Sequence, residues 1–344
     1  MKKGWLFFIK SNPKLREEGK MKKLVVILLT VCMVAFGFSA VAADKMLIKS
    51  SDVHGDGYPT VEAIKYMGEL LNKWTNGRLS IQVYGSMQLG GEKEALEQVQ
   101  VGALEMTRVS VGVVGPIVDE FNAFNLPFVF RSPQHMYDVT DGEIGTELLM
   151  KLEKGGLIGL GYMDAGSRSF YNKVRPITQP SDLKGLKIRV MQNPIFVEMV
   201  NSMGGNGTPV AFDELYTALQ TGIVDGAENN PPTIIEHKHY EVTKYYSLTQ
   251  HLMVPEIFVF SKKIWDKMSP VDQLLIRKAS AACVIKEREL WAAKEEKAFA
   301  ELKQIGYSIN GNLDKEPFIQ ATEPVRQKFG SKYSELIKRI QAVK

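Results

Sequence analysis

The sequence predicts an α/β protein of two domains, and three observations predict it. Apolar periodicity alternates between strand and helix spacing along the chain. That alternation restarts near Leu157, and a run of helix formers from Pro270 to Ile305 is broken by neither glycine nor a further proline. A chain of 344 residues is also long enough to divide its core between two domains.

Each element follows from its local pattern. Met46 to Ser50 is a short strand. Thr60 to Trp74 is an amphipathic helix with Val61, Ile64, Met67, Leu71 and Trp74 on one face, ended by Asn76-Gly77. Arg78 to Tyr84 alternates as a strand, Glu92 to Val101 is a helix, and Leu104 to Val111 is again strand-like. The second unit opens at Leu157–Tyr162 and continues with a strand at Leu186–Val190, helices at Pro194–Met203 and Phe212–Thr221, and a strand at Glu256–Phe260. This alternation implies largely parallel sheets. At 1.5 Å per residue the Pro270–Ile305 run extends about 54 Å, longer than one small domain, and is expected to bridge both.

The N-terminal region reads as a leader. From Met21, Lys22 and Lys23 precede an apolar stretch, Leu24 to Phe38, and a small-residue zone, Ser39 to Ala43. That is the build of a secretory signal peptide at 21–43, cleaved after Ala43 or after Ala42. A polar stretch, Ser11 to Lys20, precedes it, and residues 1–20 are expected to be a spurious extension, with Met21 the true start. Residues 1–43 hold eight Lys/Arg and two acids, so cleavage turns a formal net charge of +4 into −2. No basic field remains that would point to nucleic acid or an anionic membrane surface. Only Cys283 survives cleavage, which leaves no internal disulfide; it sits between alanines in the long helix and is expected to be packed rather than reactive.

Few residues suggest catalysis. Asp52-Val-His54-Gly-Asp56 has a spacing that could hold a metal, and a metal-dependent hydrolase using Asp52, His54 and Asp56 is the alternative reading. The other histidines form no second cluster, because His237 and His239 are expected on a helix, where positions i and i+2 face apart. There is no G-x-S-x-G elbow, dinucleotide fingerprint or phosphate loop, so neither a catalytic residue nor a cofactor is expected. The arginines say more. Arg108, Arg168 and Arg189 occupy strand or strand-end positions with apolar neighbours, where a guanidinium needs an anionic partner from the protein or from a ligand. Their planar forks suit bidentate carboxylate recognition.

Several strings then match one family in order: Tyr84-Gly-Ser-Met-Gln-Leu-Gly90-Gly-Glu, Gly102-Ala-Leu-Glu, Leu126-Pro-Phe128, Asp182-Leu-Lys-Gly-Leu-Lys-Ile-Arg-Val190, and the run from Thr208 through Tyr216 to Asn229. Over essentially the whole mature chain the sequence resembles the solute-binding subunit of tripartite ATP-independent periplasmic (TRAP) transporters, of the dicarboxylate-binding type. The resemblance implies a two-domain periplasmic binding protein fold with a cleft between domains, divided as 44–165 plus 254–294 and 166–253 plus 295–344. It further implies a periplasmic monomer that hands a small carboxylate to membrane permease subunits. By the same matching Arg189 grips the ligand carboxylate, Asn229 bonds the ligand, Phe212 walls the pocket, Arg168 adds charge and Gln192 adds a polar contact. Ser110 stands where a sialic-acid binder would carry an acid nearby. The segment around His54 is most similar to hexuronate-binding members, with Arg108 a second grip and Glu92 an acceptor for ligand hydroxyls. Satisfaction of the N-terminal dipole of its own helix is the competing role for Glu92.

Overall fold

The structure, a computed structural model, describes residues 45–344. The leader, its cleavage point and segment 1–20 lie outside the described residues. The chain opens with β1 (Met46–Ser51), α1 (Pro59–Trp74), β2 (Leu79–Tyr84), α2 (Glu92–Val101), β3 (Met106–Ser110) and a short α3 (Val111–Val114). In α1 a proline in the first turn sacrifices no hydrogen bond, and Val61, Ile64, Met67 and Leu71 are buried at helical spacing. Trp74 departs from that face: it is exposed at the helix end, where the Lys278 Nζ lies 5.2 Å from its ring centre. After α4 (Pro133–Asp141) and α5 (Glu143–Lys151), β4 (Leu157–Met163) completes the first descent of the chain.

The second half runs β5 (Ser167–Asn172), β6 (Lys187–Val190), α6 (Pro194–Ser202), β7 (Asn206–Pro209), α7 (Leu215–Thr221), β8 (Gly226–Asn229), α8 (Pro231–Glu236) and β9 (Tyr245–Met253). Then come β10 (Glu256–Ser261), α9 (Lys262–Trp265), α10 (Pro270–Gln304), β11 (Ser308–Asn310), α11 (Glu316–Ala321), α12 (Glu323–Gly330) and α13 (Ser334–Ala342). Two sheets result, β2-β1-β3-β10-β4 and β11-β9-β5-β8-β6-β7, one in each of two α/β domains. They are mixed rather than largely parallel: β10 runs antiparallel to β3 and β4, and β5 antiparallel to β8 and β9. The cause is the crossing between sheets. The chain passes from β4 to β5 through Asp164-Ala165-Gly166 and returns from β9 to β10 through Val254-Pro255, so each crossing strand enters its new sheet against the local direction. Gly166 turns the first crossing at φ +60°, a conformation that favours glycine.

Two helices differ from expectation. Phe212 to Glu214 form a turn before α7, so that helix starts at Leu215. More consequentially, α8 stops at Glu236, because Lys238 takes a left-handed conformation at φ +54°. His237 and His239 therefore do not face apart on one helix; their ring centres are 6.0 Å from one another.

The long helix α10 spans 35 residues without a break, about 53 Å. The Ser269 side chain accepts from the Asp272 amide and caps its start. Ile276, Ala279, Cys283, Glu287, Trp291, Ala298 and Leu302 form its buried stripe. The Cys283 thiol donates to the Ala63 carbonyl of α1 at 3.1 Å, a packed position as expected. Leu302 joins the cluster under the second sheet with Tyr171, Leu215 and Tyr246. One helix thus braces both domains. Among the described residues no helix is long and apolar enough to cross a membrane.

Candidate functional site

β1 and β3 are parallel neighbours, so their carboxyl ends and the segments after them share one edge of the first sheet. Open α/β sheets place ligands at such an edge. The Asp52–Gly55 segment leaves β1 there, held by the Gly85–Ser86 turn: the Ser86 amide donates to the His54 carbonyl at 2.8 Å. A Cβ on Gly85 would sit 2.7 Å from that carbonyl oxygen, so only glycine permits the approach. Across from this edge, β5, β6 and β8 of the second sheet bring Arg168, Arg189 and Asn229 to face it. A small cavity of about 30 Å³ remains between, lined by His54, Glu92, Arg108, Arg168, Arg189, Phe212 and Asn229 together with Ser110, Met191, Asn230 and Glu256.

Seven of the eight candidate residues therefore meet. Gln192 does not: it is exposed and lines an adjoining cavity. Gln192 lies beyond β6, which ends at Val190, so its direction is set by the turn before Asn193 and not by strand alternation from Arg189. Met191 takes the wall instead. Sequence reasoning also missed Glu256, although an acid opening an apolar strand was the signal that could have found it.

The three arginines are not equivalent. Arg108 is buried and spends its donors on protein acids: Nε bonds Asp52 Oδ2 at 3.1 Å, Nη2 bonds Asp52 Oδ1, and Nη1 bonds Glu92 Oε1 at 2.7 Å and Glu256 Oε2 at 2.8 Å. Burial opposes its charge, but the Asp52, Glu256 and Glu92 carboxylates carry its pKa well above the usual value. Arg168 is also committed. It bonds the Glu228 carboxylate through Nε and Nη2, the Glu228 carbonyl, and Asn229 Oδ1 at 3.0 Å. Arg189 has one protein partner, the Val210 carbonyl, which Nε meets at 2.8 Å. Its four Nη hydrogens have no protein acceptor among the described residues, though the side chain is only 2% exposed. Burial lowers its pKa below the usual arginine value, the reverse of its two neighbours.

The remaining groups complement that fork. The Glu92 carboxylate reaches Arg108 and the Ser110 amide (3.2 Å) from the first turn of its own helix, where an acid also suits the helix dipole. Asn229 Oδ1 accepts from Arg168 and from the Asn230 amide, while its Nδ2 donates to no described protein acceptor. His54 stacks on Tyr58 with ring centres 3.6 Å apart, and Phe212 meets it edge-on at 5.9 Å. Phe212 also stands 5.6 Å beneath the Arg189 guanidinium.

The hydrolase cluster comes apart in space. Asp52 is consumed by Arg108, the Thr60 hydroxyl and the His54 amide. Asp56 is exposed and pairs with Lys65 at 2.8 Å. Its two carboxylates serve an ion pair and a surface contact, and no shared metal site forms.

Four imidazoles, three buried and His237 half-buried, set an acid limit on stability. Burial, first of all, holds His54 well below its normal value of 6.5, His237 at about 4, and His239 and His251 at about 3. Below pH 6.5 the unfolded chain takes up protons that these folded imidazoles refuse, so stability falls as pH falls. Glu236, Glu256 and Glu295, each raised to about 7 chiefly by burial, act oppositely. Their contribution is full below the unfolded carboxyl value near 4.5 and is lost as pH rises through about 7. Asp164 and Glu287 are raised by burial as well, so between about pH 4.5 and 6.5 the imidazoles and the raised carboxyls oppose one another; below 4.5 the imidazoles act together with carboxyls such as Asp272, which the Arg78 hydrogen bond holds below its usual value and whose contribution is lost as pH falls. Calorimetry across pH should show a nearly level melting temperature over that window and a steep fall below it.

A larger cavity, about 570 Å³, lies on the opposite face of β5, where Ser167, Ser169, Tyr246 and Trp291 line it. It contains none of the three site arginines, and the chemistry favours the small cavity as the binding site. Comparison with known proteins identifies the family. Residues 50–332 match DctP, the bacterial extracellular solute-binding protein family 7. A TRAP periplasmic solute-binding protein of Pseudomonas putida F1, solved with bound D-glucuronate, superposes with a TM-score of 0.85 at 48% identity, covering 87% of this chain and 98% of that one. One from a Bradyrhizobium species, solved with D-galacturonate, gives 0.84 at 44% identity over 86% and 99% of the two chains. A curated solute-binding protein of Chromohalobacter salexigens is 38% identical over 285 residues, 83% of this chain and 85% of the relative. The chain belongs to the DctP family and is a TRAP solute-binding protein.

Proposed function

We propose that the protein captures a hexuronate, such as D-glucuronate or D-galacturonate, outside the cytoplasmic membrane and presents it to a TRAP permease. It acts as a binder rather than an enzyme. The observation that carries the reading is Arg189, a buried guanidinium with both Nη groups unengaged by protein. Leaving that charge unpaired away from water is expensive, and a carboxylate matches its fork bidentately. A sugar body fits the surroundings: carboxylate oxygens of Glu92 and Glu256 accept hydroxyl hydrogens, and Asn229 Nδ2 and His54 offer polar edges. In this role Arg108 and Arg168 order the acids and Asn229 around the ligand, while Arg189 holds its carboxylate.

The small cavity supports capture by closure. About 30 Å³ is far below the 300–1,000 Å³ of small-molecule pockets, so a sugar acid enters only when the domains part. We assign the domains to 44–165 plus 254–294 and 166–253 plus 295–344, turning about the Asp164–Gly166 and Val254–Pro255 connections.

Thermal shift and calorimetry test the proposal. At a hundred times its dissociation constant a native-state ligand stabilises by about 2.7 kcal/mol, or about 5 °C for a chain of this size. D-glucuronate or D-galacturonate should give that shift, and D-glucose should give none. A shift with succinate or malate alone would replace hexuronates by C4-dicarboxylates. N-terminal sequencing of exported protein is expected to begin at Asp44; a sequence beginning upstream of the small-residue zone would overturn the assigned leader.

A further inference from the structure

Beside the ligand cavity, three side chains from opposite domains converge. His54 follows β1 of the first sheet, whereas Glu236 ends α8 and His237 caps it in the second domain. His54 Nδ1 lies 2.9 Å from His237 Nε2 and 4.0 Å from Glu236 Oε1. Among the described residues these are the group of three whose ligand atoms all lie within 4.8 Å of one another. His237 and Glu236 are absent from the lining of the ligand cavity, so their convergence is not explained by sugar-acid recognition.

We propose that His54, His237 and Glu236 form a site for a borderline divalent cation, Zn²⁺, which bridges the two domains and holds the cleft closed. Two imidazoles with one carboxylate are a zinc donor set, and a fourth position stays open to water. The spacing is close to what coordination requires. A tetrahedral ion with bonds of about 2.0–2.1 Å separates its ligand atoms by roughly 3.3 Å. The facing nitrogens would part by about 0.4 Å and the carboxylate would close by a little more, both within side-chain reach.

The supporting contacts also suit a metal site. Glu236 Oε1 accepts from the Gly55 amide at 2.8 Å, which fixes the carboxylate while leaving lone pairs unused. Tyr58 stacks on His54, and Phe212 stands edge-on to His237 at 4.7 Å, so both rings are oriented before an ion arrives. Lys294 Nζ, 4.0 Å from Glu236 Oε2, opposes a second cation and makes the site weaker than a dedicated structural zinc centre. Because the donors come from both domains, the ion binds the closed form and favours it whether or not an organic acid is present.

The test uses untagged mature protein freed of metal with a chelator and no organic acid, so its outcome is independent of the hexuronate reading. Titration with ZnCl₂ should show one ion per chain, while MgCl₂ gives no heat. Small-angle scattering should show compaction on adding Zn²⁺. His237→Ala and Glu236→Gln should each weaken zinc binding by at least about tenfold, the scale on which even outer-shell partners act. Either variant that still unfolds cooperatively in chelator suffices for the comparison. Wild-type zinc affinity in both variants, or zinc binding without compaction, would overturn the bridge.

Discussion

Arg189→Ala is expected to weaken hexuronate binding by a hundredfold or more, roughly 3 kcal/mol, in isothermal titration calorimetry. Two charge-assisted hydrogen bonds are lost, each on the order of 1.5–3 kcal/mol. The ligand carboxylate would also remain in a buried cavity without its counter-charge. The fold should tolerate the change. Arg189 gives the protein one hydrogen bond, to the Val210 carbonyl, and no ion pair among the described residues, so its removal strands no protein acid. Arg189→Lys retains the charge but not the fork, and binding should fall by about tenfold or more with folding intact. Unchanged affinity in Arg189→Ala would move carboxylate recognition to another residue.

The sequence signalled three buried cations and could not rank them. Arg108, Arg168 and Arg189 all occupy strand or strand-end positions, and that pattern reports burial without reporting the partner. The partners lie far along the chain: Glu256 is 148 residues from Arg108, and Glu228 is 60 from Arg168. Only the assembled sheets show that two guanidinium groups are neutralised by protein acids and that the third meets none among the described residues. The long helix was readable to within a residue, because an unbroken run of helix formers needs no tertiary information. His237 was not readable, because a left-handed Lys238 breaks the helical spacing and no composition signal marks it. Gln192 was not readable either: it lies past the end of β6 and faces an adjoining cavity that Arg189, Glu92 and Phe212 also line. The mixed strand directions were hidden for a related reason, since periodicity identifies strands but not the direction in which a crossing chain enters a sheet.

Arg108→Met is expected to act on folding rather than directly on the ligand. The substitution removes the single cation shared by Asp52, Glu92 and Glu256 while filling much of its space. Breaking a buried ion pair by deleting one partner typically costs about 3–5 kcal/mol, because the other charge is left uncompensated. Here three carboxylates are left, and equilibrium urea unfolding at neutral pH should show a loss in that range. The loss has a pH signature that a packing defect would lack. Glu256 already holds its proton up to about pH 7, chiefly through burial, with Arg108 pulling down and Glu92 pushing up. Without Arg108 its folded pKa rises further above the unfolded value. Folding then retains a proton that the unfolded chain releases, and stability is lost as pH rises through the folded pKa. The Asp52 and Glu92 part of the loss persists at pH 5, and the gap between variant and wild type should widen from there toward pH 8 as the Glu256 part is added. A gap constant across that range would assign Arg108 to packing and leave the three acids screened by water. A widening gap ties domain stability to the same carboxylates proposed to receive the sugar hydroxyls.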